Sequence, residues 1–144
     1  MVCLGNICRS PLAEGILQSK VDAARIEVMS AGTGGWHVGE QPDPRSIAVA
    51  KKNGLDITKQ RGRQFKASDF EEFDYIFIMD ASNEENVLAL ASSDKHRGKV
   101  QMILEEIFPS EKVDVPDPYY GGDRGFDQVY EMLEKACTKI AVRL

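Results

Sequence analysis

The chain has 144 residues, of which 42% are hydrophobic and 28% are charged, and it carries a formal net charge of −5. This length supports one domain whose core needs no disulfide or metal, and the composition argues against disordered and fibrous proteins. The negative charge argues against general affinity for nucleic acid or for anionic membranes, because both require a positive surface.

The cysteines are few, odd in number and unevenly placed, at Cys3, Cys8 and Cys137. This pattern is typical of reduced intracellular thiols rather than of a secreted disulfide framework. No targeting segment is recognisable, and the apolar run from Ile76 to Met79 is too short to cross a bilayer. We therefore expect a cytoplasmic protein that contacts neither nucleic acid nor membrane.

In the first half of the chain, a helix is predicted from about Ser10, with four apolar residues on one face, and a short strand at 26–30. The glycine-rich stretch 34–39 is predicted to be a loop. A second helix is predicted from about Pro44, and Asn53-Gly54 gives it a left-handed end.

In the second half, a serine followed three residues later by a glutamate predicts helices that begin near Ser68 and near Ser82. Apolar runs predict strands at 75–79, where Asp80 ends the strand, and at 100–104. The last predicted helix begins at Phe126, and its apolar residues recur at helical spacing: Val129, Tyr130, Leu133, Cys137, Ile140, Ala141 and Leu144.

Strands separated by helices predict the α/β class. We expect a single-domain, doubly wound parallel sheet flanked by helices on both faces. In such sheets the ligand lies at the carboxyl ends of the strands. The most informative segment of the chain, residues 3–11, precedes the first helix.

This segment places a cysteine, five residues, an arginine and a hydroxyl directly before a helix. Five residues suffice to curl a loop whose N–H groups point inward, and the helix N-terminus adds its positive dipole end. Gly5 permits a backbone conformation closed to residues with a side chain, and Arg9 can bind two phosphate oxygens. The sequence therefore predicts a phosphate-binding loop at the end of the first strand, formed by Leu4, Gly5, Asn6, Ile7, Cys8, Arg9 and Ser10.

The same loop is expected to activate Cys3. A helix N-terminus and a neighbouring guanidinium stabilise an ionised thiolate, which makes Cys3 the candidate nucleophile. Ser10 can donate a hydrogen bond to the sulfur and help it to leave when a phosphocysteine is hydrolysed.

The segment 3–11 resembles the signature of the low-molecular-weight protein tyrosine phosphatases. Further matches are Ser30-Ala31-Gly32, residues 73–76 leading to Met79-Asp80, and above all residues 117–121, Asp-Pro-Tyr-Tyr-Gly. The resemblance extends from Val2 nearly to the C-terminus. It implies a four-stranded parallel sheet and hydrolysis of phosphotyrosine in proteins through a phosphocysteine, without metal or cofactor.

The resemblance also implies that Asp117 is the general acid, a role that the chemistry requires because a departing phenolate needs a proton. Pro116 and Pro118 stiffen the segment around it. Without the upstream loop, the commoner role for an aspartate beside proline would be to cap a turn.

By the same resemblance, Trp36, Tyr119 and Tyr120 would wall a slot for a flat aromatic ring. The loop would be supported by Ser30 and Asp80, with Asn6 and Ser10 completing a hydrogen-bond network. Within the family, an isoleucine at the position of Ile7 is associated with phosphotyrosine and a threonine with phosphoarginine, so the sequence favours phosphotyrosine.

The chain departs from the family pattern in two places. Only Met1 and Val2 precede the nucleophile, which leads us to expect a truncated first strand in the domain that spans residues 1–144. Gln60 stands where many relatives carry a histidine that supports the loop, and an amide can replace only some of those bonds.

Three other functions fit the sequence less well. Zinc bound by Cys3 and Cys8 is disfavoured, because the other candidate ligands are not clustered with them. An arsenate reductase on this scaffold needs two further cysteines near the chain middle, and none lies between Cys8 and Cys137. A phosphate-binding module without activity would usually have lost the nucleophile or the acid, and both are present here.

Three questions stay open on sequence grounds. Cys8 is either a packing residue of the loop or the partner of Cys3 in a reversible, protective disulfide. Regulatory phosphorylation of Tyr119 or Tyr120 rests on family analogy alone. For the assembly, we expect a monomer or weak self-association.

Overall fold

A four-stranded sheet lies at the centre of the computed structural model, which describes residues 1–122 and 124–144 in full and residue 123 through its backbone only. The strands are β1 (Val2–Cys3), β2 (Ala31–Gly32), β3 (Ile76–Ile78) and β4 (Val100–Met102). Their order in the sheet is β2-β1-β3-β4, and every neighbouring pair is parallel. The predicted α/β fold with a parallel four-stranded sheet is confirmed.

The strand β1 has two residues but is paired on both sides. Val2 lies opposite Ala31 of β2 and opposite Ile78 of β3, and Cys3 lies opposite Gly32. Because the strands are parallel, Cys3 lies at the carboxyl edge of the sheet, which is the edge expected to carry a ligand site.

The helices cover both faces of this sheet. They are α1 (Arg9–Gln18), α2 (Pro44–Lys52), α3 (Asp69–Glu72), α4 (Ala81–Leu88), α5 (Asp94–Gly98) and α6 (Asp123–Arg143), and single 3-10 turns occur at Ile103–Glu106 and Pro118–Tyr120. None of the helices, as far as the structure describes them, is both long and apolar enough to cross a membrane.

The central strand β3 divides the core into two clusters. Ile76 and Ile78 belong to one cluster, whereas Phe77 and Met79 belong to the other, as the alternation of side chains along a strand requires. The cluster that contains Phe77 and Met79 also contains the buried faces of α1, α2 and α6. This confirms a strand covered on both faces within the predicted run 75–79, although the strand itself spans only Ile76–Ile78 and Tyr75 is exposed.

The apolar stripe of α6 is buried as predicted. Phe126, Leu133, Cys137 and Ile140 belong to the core, and α6 packs most extensively against α1. Because α1 begins directly after the candidate phosphate-binding loop, the packing of these two helices fixes the position of the loop relative to the core.

The prediction of a strand at 26–30 is wrong. The strand β2 comprises Ala31–Gly32, and residues 26–30 belong to no helix or strand. The side chain of Gln18 occupies their backbone groups: its Nε2 donates to the Ile26 carbonyl oxygen at 3.1 Å, and its Oε1 accepts from the Val28 N–H at 2.9 Å. A side chain from α1 thus replaces part of a strand ladder.

The capping predictions were also wrong in detail. The N-cap of α4 is Asp80, which forms a reciprocal capping box with Asn83, so the helix begins before Ser82. Ser68 stands at the N-cap of α3 without a side-chain capping bond, and the Asp69 carboxylate accepts from the Lys66 N–H instead. Both helices exist, but aspartates rather than serines hold their starts.

We expect Leu133→Ala to destabilise the protein by about 2–5 kcal/mol, because it removes most of a side chain that is fully buried between α6 and the rest of the core. The matched control is Val142→Ala on the same helix, where the side chain is exposed and the change should stay within about 0.5 kcal/mol. Urea denaturation gives both values, and equal effects of the two substitutions would contradict the assigned packing of α6.

Candidate active site

A loop of residues 4–8 connects the end of β1 to the start of α1. Its tight turn is made by Asn6, whose φ of 57° lies in the left-handed region. Asparagine is among the few residues other than glycine that adopt this region readily. The expectation for Gly5 is wrong, because its φ is not positive; a side chain there would instead crowd the ring of His37, at 3.3 Å from Cδ2.

The side chain of Asn6 is the centre of a buried hydrogen-bond network. Its Nδ2 donates to Ser10 Oγ at 2.8 Å and to Ser30 Oγ at 3.0 Å, and its Oδ1 accepts from the Arg63 N–H at 3.0 Å. One amide therefore links the loop to α1, to the residue before β2 and to the segment that precedes α3.

The thiol of Cys3 lies inside this network. Its Sγ is 3.0 Å from Ser10 Oγ and accepts from the Asn6 N–H at 3.3 Å. The Ser10 hydroxyl can donate its proton to the sulfur at 3.0 Å or to the Ala31 carbonyl oxygen at 3.5 Å, and the shorter contact favours the sulfur. Two donors are thus placed to stabilise negative charge on Sγ.

Arg9 is the buried cation of the site, with only 2% of its surface exposed. Its Nη1 donates to Asp80 Oδ2 at 2.6 Å and to the Val115 carbonyl oxygen at 2.9 Å. Its Nη2 lies 3.8 Å from Asp117 Oδ2. Nε and Nη2 make no hydrogen bond to the described residues, so, apart from the ion pair with Asp117, this edge of the guanidinium can bind two oxygens of an anion.

The segment that carries Asp117 is tied to the sheet at Val115. The Val115 N–H donates to the Met79 carbonyl oxygen at 2.8 Å, while its own carbonyl oxygen accepts from Arg9. Two residues further on, Asp117 Oδ1 accepts from the Tyr119 N–H at 3.0 Å and so caps the 3-10 turn at Pro118–Tyr120. A residue remote in sequence is thereby held beside Arg9.

These groups border one cavity of about 250 Å³. The predicted wall residues Trp36, Tyr119 and Tyr120 line it together with Cys3, Arg9 and Asp117. Two of the aromatic side chains are largely exposed, with 70% of Trp36 and 88% of Tyr120 accessible to solvent. The cavity therefore has a polar, buried base and an aromatic, open mouth.

The three cysteines are free thiols in different surroundings. Burial, helped by the nearby charge of Asp43, raises the pKa of the Cys8 thiol to about 12. Burial raises the pKa of Cys137 to about 12 as well, as expected for a structural thiol on the apolar stripe of α6. Cys8 and Cys137 are therefore protonated near neutral pH.

Gln60 supports the site only indirectly. Its Nε2 donates to the Pro11 carbonyl oxygen in α1 at 3.0 Å, whereas its buried Oε1 has no hydrogen-bond partner among the described residues. It makes no bond to the Asn6 network, whose third link comes from the backbone of Arg63.

Sequence reasoning missed four residues of this region: His37, Asp43, Arg45 and Arg63. His37 lines the cavity next to Trp36 and is bonded through Nδ1 to Glu40 Oε2 at 2.7 Å. Asp43 caps α2 by accepting from the Arg45 N–H at 2.8 Å. An aspartate before a proline at a helix start is a recognisable capping signal. Nothing in the neighbouring sequence indicated the contacts of Arg45 with Tyr119 and of Arg63 with Asn6, which are remote along the chain.

A parallel α/β sheet whose central strand ends in a thiol, with a buried arginine at the start of the next helix, places the protein among the tyrosine phosphatases. The family model described as "Low molecular weight phosphotyrosine protein phosphatase" matches residues 1–144. The chain belongs to this family, and it is a protein-tyrosine phosphatase, as the resemblance implied.

Relatives of the same family align with most of the chain. A low molecular weight phosphotyrosine protein phosphatase of Schizosaccharomyces pombe is 47% identical over 137 residues, which cover 92% of this chain and 86% of the relative. A Drosophila melanogaster protein of the same description is 42% identical over 144 residues, covering 96% and 90% respectively.

Solved structures agree with the fold. A protein tyrosine phosphatase of Entamoeba histolytica superimposes with a TM-score of 0.89 at 36% identity, over 99% of this chain and 92% of that one. Vibrio vulnificus Wzb in complex with benzylphosphonate gives a TM-score of 0.88 at 30% identity, over 99% of this chain and 95% of that one.

We expect Gly32→Ala to impair the site, because a Cβ at this position would lie 2.8 Å from the Leu4 carbonyl oxygen and 3.1 Å from the Asn6 backbone nitrogen. Both atoms belong to the loop backbone, so the loop must shift, and a displacement of about 1 Å can cost about 100-fold in kcat/KM. The control is Gly98→Ala, where a Cβ meets no atom within 4 Å. Hydrolysis of p-nitrophenyl phosphate measures both, and a fully active Gly32→Ala variant would contradict this close approach.

Proposed function

We propose that the enzyme dephosphorylates phosphotyrosine through a covalent phosphocysteine at Cys3, with Arg9 binding the phosphate and Asp117 transferring protons. The observation that carries this proposal is the convergence of the three groups on one cavity, with Arg9 Nη2 only 3.8 Å from Asp117 Oδ2. We expect a phosphate bound by this edge of Arg9 to lie between the sulfur and the carboxyl group, because all three groups line the same cavity.

In the first step, the Cys3 thiolate attacks phosphorus, and an S–P bond forms as the P–O bond to the tyrosine oxygen breaks. The leaving oxygen takes the electron pair of that bond and a proton from the Asp117 carboxyl group. Tyrosine departs, leaving phosphocysteine and an ionised Asp117. The Tyr119 N–H, which is bonded to Asp117 Oδ1, orients the carboxyl group for this transfer.

In the second step, water attacks phosphorus and gives a proton to Asp117, while the S–P bond breaks and its electron pair returns to sulfur. Inorganic phosphate leaves, and the starting protonation state of Asp117 is restored. The Ser10 hydroxyl and the Asn6 N–H lie beside Sγ and stabilise the departing thiolate. Because these donors are fixed by the Asn6 network, they need no rearrangement during the reaction.

The mouth of the cavity supports an aromatic phosphoester as substrate. Trp36, Tyr119 and Tyr120 offer ring faces, and Ile7 adds a branched apolar side chain to the lining. Flat apolar walls above an anion site fit phosphotyrosine better than a short, polar phosphoserine. The benzylphosphonate named with Vibrio vulnificus Wzb combines the same two parts, a ring and a phosphonate.

All groups of the proposed mechanism come from one chain, which supports a monomer, or a weakly self-associating protein, as the working form. The small, odd number of cysteines supports a reducing compartment, namely the cytoplasm. With Arg9 and the loop providing the positive charge, the reaction requires no metal. Reversible pairing of Cys3 with Cys8 and phosphorylation of Tyr119 or Tyr120 remain candidate controls of this activity.

We expect Cys3→Ser to abolish turnover of p-nitrophenyl phosphate while the protein still binds phosphate, since the loop and Arg9 are unchanged. Trp36 is the single tryptophan of the chain and lies on the cavity wall, so its fluorescence reports binding directly. Phosphate titrations of the variant and of the parent protein should give dissociation constants within about threefold of each other. Turnover that survives in Cys3→Ser would exclude the covalent mechanism.

We expect Asp117→Ala to lower kcat/KM by about 100-fold or more for phenyl phosphate, whose leaving group needs a proton. The loss should shrink for 2,4-dinitrophenyl phosphate, which leaves readily as an anion. Asp74→Ala, an exposed aspartate before β3 at the opposite edge of the sheet, serves as the control and should retain activity. A loss of equal size for both esters would argue against proton donation by Asp117.

A further inference from the structure

The first turn of α2 contacts both the phosphate-binding loop and the segment that carries Asp117. On the loop side, the Asp43 N–H donates to the Ile7 carbonyl oxygen at 2.8 Å, and Ser46 Oγ donates to the Cys8 carbonyl oxygen at 3.2 Å. The Asp43 side chain is only 8% exposed. This start of α2 is therefore a fixed part of the loop's surroundings.

The side chain of Arg45 is held by Asp43 at this start of α2. Its Nε donates to Asp43 Oδ1 at 3.1 Å and its Nη2 to Asp43 Oδ2 at 3.0 Å, a two-point contact that fixes the plane of the guanidinium. Burial tends to raise the pKa of Asp43, but the hydrogen bonds from Arg45 outweigh burial and lower that pKa. The pair is thus an ion pair near neutral pH.

The other side of the same guanidinium holds the segment after Asp117. Its Nη1 donates to the Tyr119 carbonyl oxygen at 3.2 Å. Its Cζ lies 5.3 Å from the centre of the Tyr119 ring and 4.7 Å from the centre of the Phe126 ring. Phe126 is a core residue of α6, so the guanidinium lies against a rigid surface while it binds Tyr119.

Tyr119 connects Arg45 to the acid. Its carbonyl oxygen accepts from Arg45, its ring contacts the same guanidinium, and its N–H donates to Asp117 Oδ1 at 3.0 Å. If Tyr119 becomes more mobile, the carboxyl group of Asp117 that is bonded to it therefore becomes more mobile as well. This carboxyl group points toward Arg9.

From these contacts we infer that Arg45 is a positioning residue for the reaction, which holds Asp117 in its proton-donating orientation through Tyr119. The inference rests on the proposed role of Asp117 as the general acid. Arg45 itself need not touch the substrate; it keeps the distance between the acid and the phosphate-binding loop constant.

The test is a double-mutant cycle of Arg45→Ala and Asp117→Ala, measured as kcat/KM with phenyl phosphate and with 2,4-dinitrophenyl phosphate. We expect Arg45→Ala to cost about tenfold with the first ester and less than about threefold with the second, because only the first needs the proton. Added to Asp117→Ala, the same substitution should cost less than about twofold, since it acts through a group already removed.

Two further variants separate positioning from charge and from folding. Arg45→Lys keeps the charge but cannot bind both Asp43 oxygens and the Tyr119 carbonyl, so we expect it to behave like Arg45→Ala. Arg61→Ala removes an exposed arginine whose hydrogen bonds, among the described residues, go to the Thr58 and Gln60 carbonyl oxygens, and its kinetics should be unchanged. Inhibition by inorganic phosphate should be the same in the parent protein and in Arg45→Ala, Arg45→Lys and Arg61→Ala.

The inference is overturned if Arg45→Ala slows both esters equally, if its effect is additive with Asp117→Ala, or if Arg45→Lys restores full activity. A weaker inhibition by phosphate together with a uniform loss would assign Arg45 to the anion site instead. If Asp117→Ala itself slows both esters equally, the proposed general acid fails, and this outcome is distinct from a failure of Arg45 alone.

Discussion

The left-handed backbone of Asn6 and the three hydrogen bonds of its side chain are the constraint on which the site depends. Glycine would adopt the same backbone, but it would leave the hydroxyls of Ser10 and Ser30 and the N–H of residue 63 without this partner. Because the amide ties the loop to three separate segments, the loop cannot relax without breaking buried bonds, each worth about 1–3 kcal/mol if left unsatisfied. The turn is thus held in its binding shape before any ligand arrives.

The buried charge of Arg9 is compensated in a way that leaves it available. Asp80 and the Val115 carbonyl oxygen share a single nitrogen, Nη1, and the remaining edge faces the cavity. A buried ion pair adds little net stability, because the cost of removing both charges from water offsets their attraction. Its contribution here is orientation. The ion pair fixes the plane of the guanidinium, and the bond from Arg9 to the Val115 carbonyl oxygen fixes the start of the segment that carries Asp117.

The sequence was sufficient where the determining signals are local. The loop before α1, the buried run of β3 and the apolar stripe of α6 are read from neighbouring residues, and the motif resemblance added Asp117. Prediction from the sequence failed where a distant side chain determines the local structure. The side chain of Gln18, for example, forms hydrogen bonds with the backbone groups of Ile26 and Val28. Arg45 and Tyr119 are 74 positions apart, and no periodicity encodes their contact. Residue type gives the chemistry available, whereas tertiary packing decides which groups meet.

The two tyrosines of the cavity differ in freedom, and this difference bears on how substrates are selected. Tyr119 is held through its N–H, its carbonyl oxygen and its ring, whereas Tyr120 contacts it edge-on at 5.0 Å between ring centres and is 88% exposed. Ordered groups at the base suit the fixed geometry of a phosphoryl group, because any displacement there lowers the rate. The exposed aromatic groups at the mouth can contact different peptide surroundings through their ring faces. The base of the cavity thus selects the phosphorylated ring, whereas its mouth tolerates different sequences around that ring.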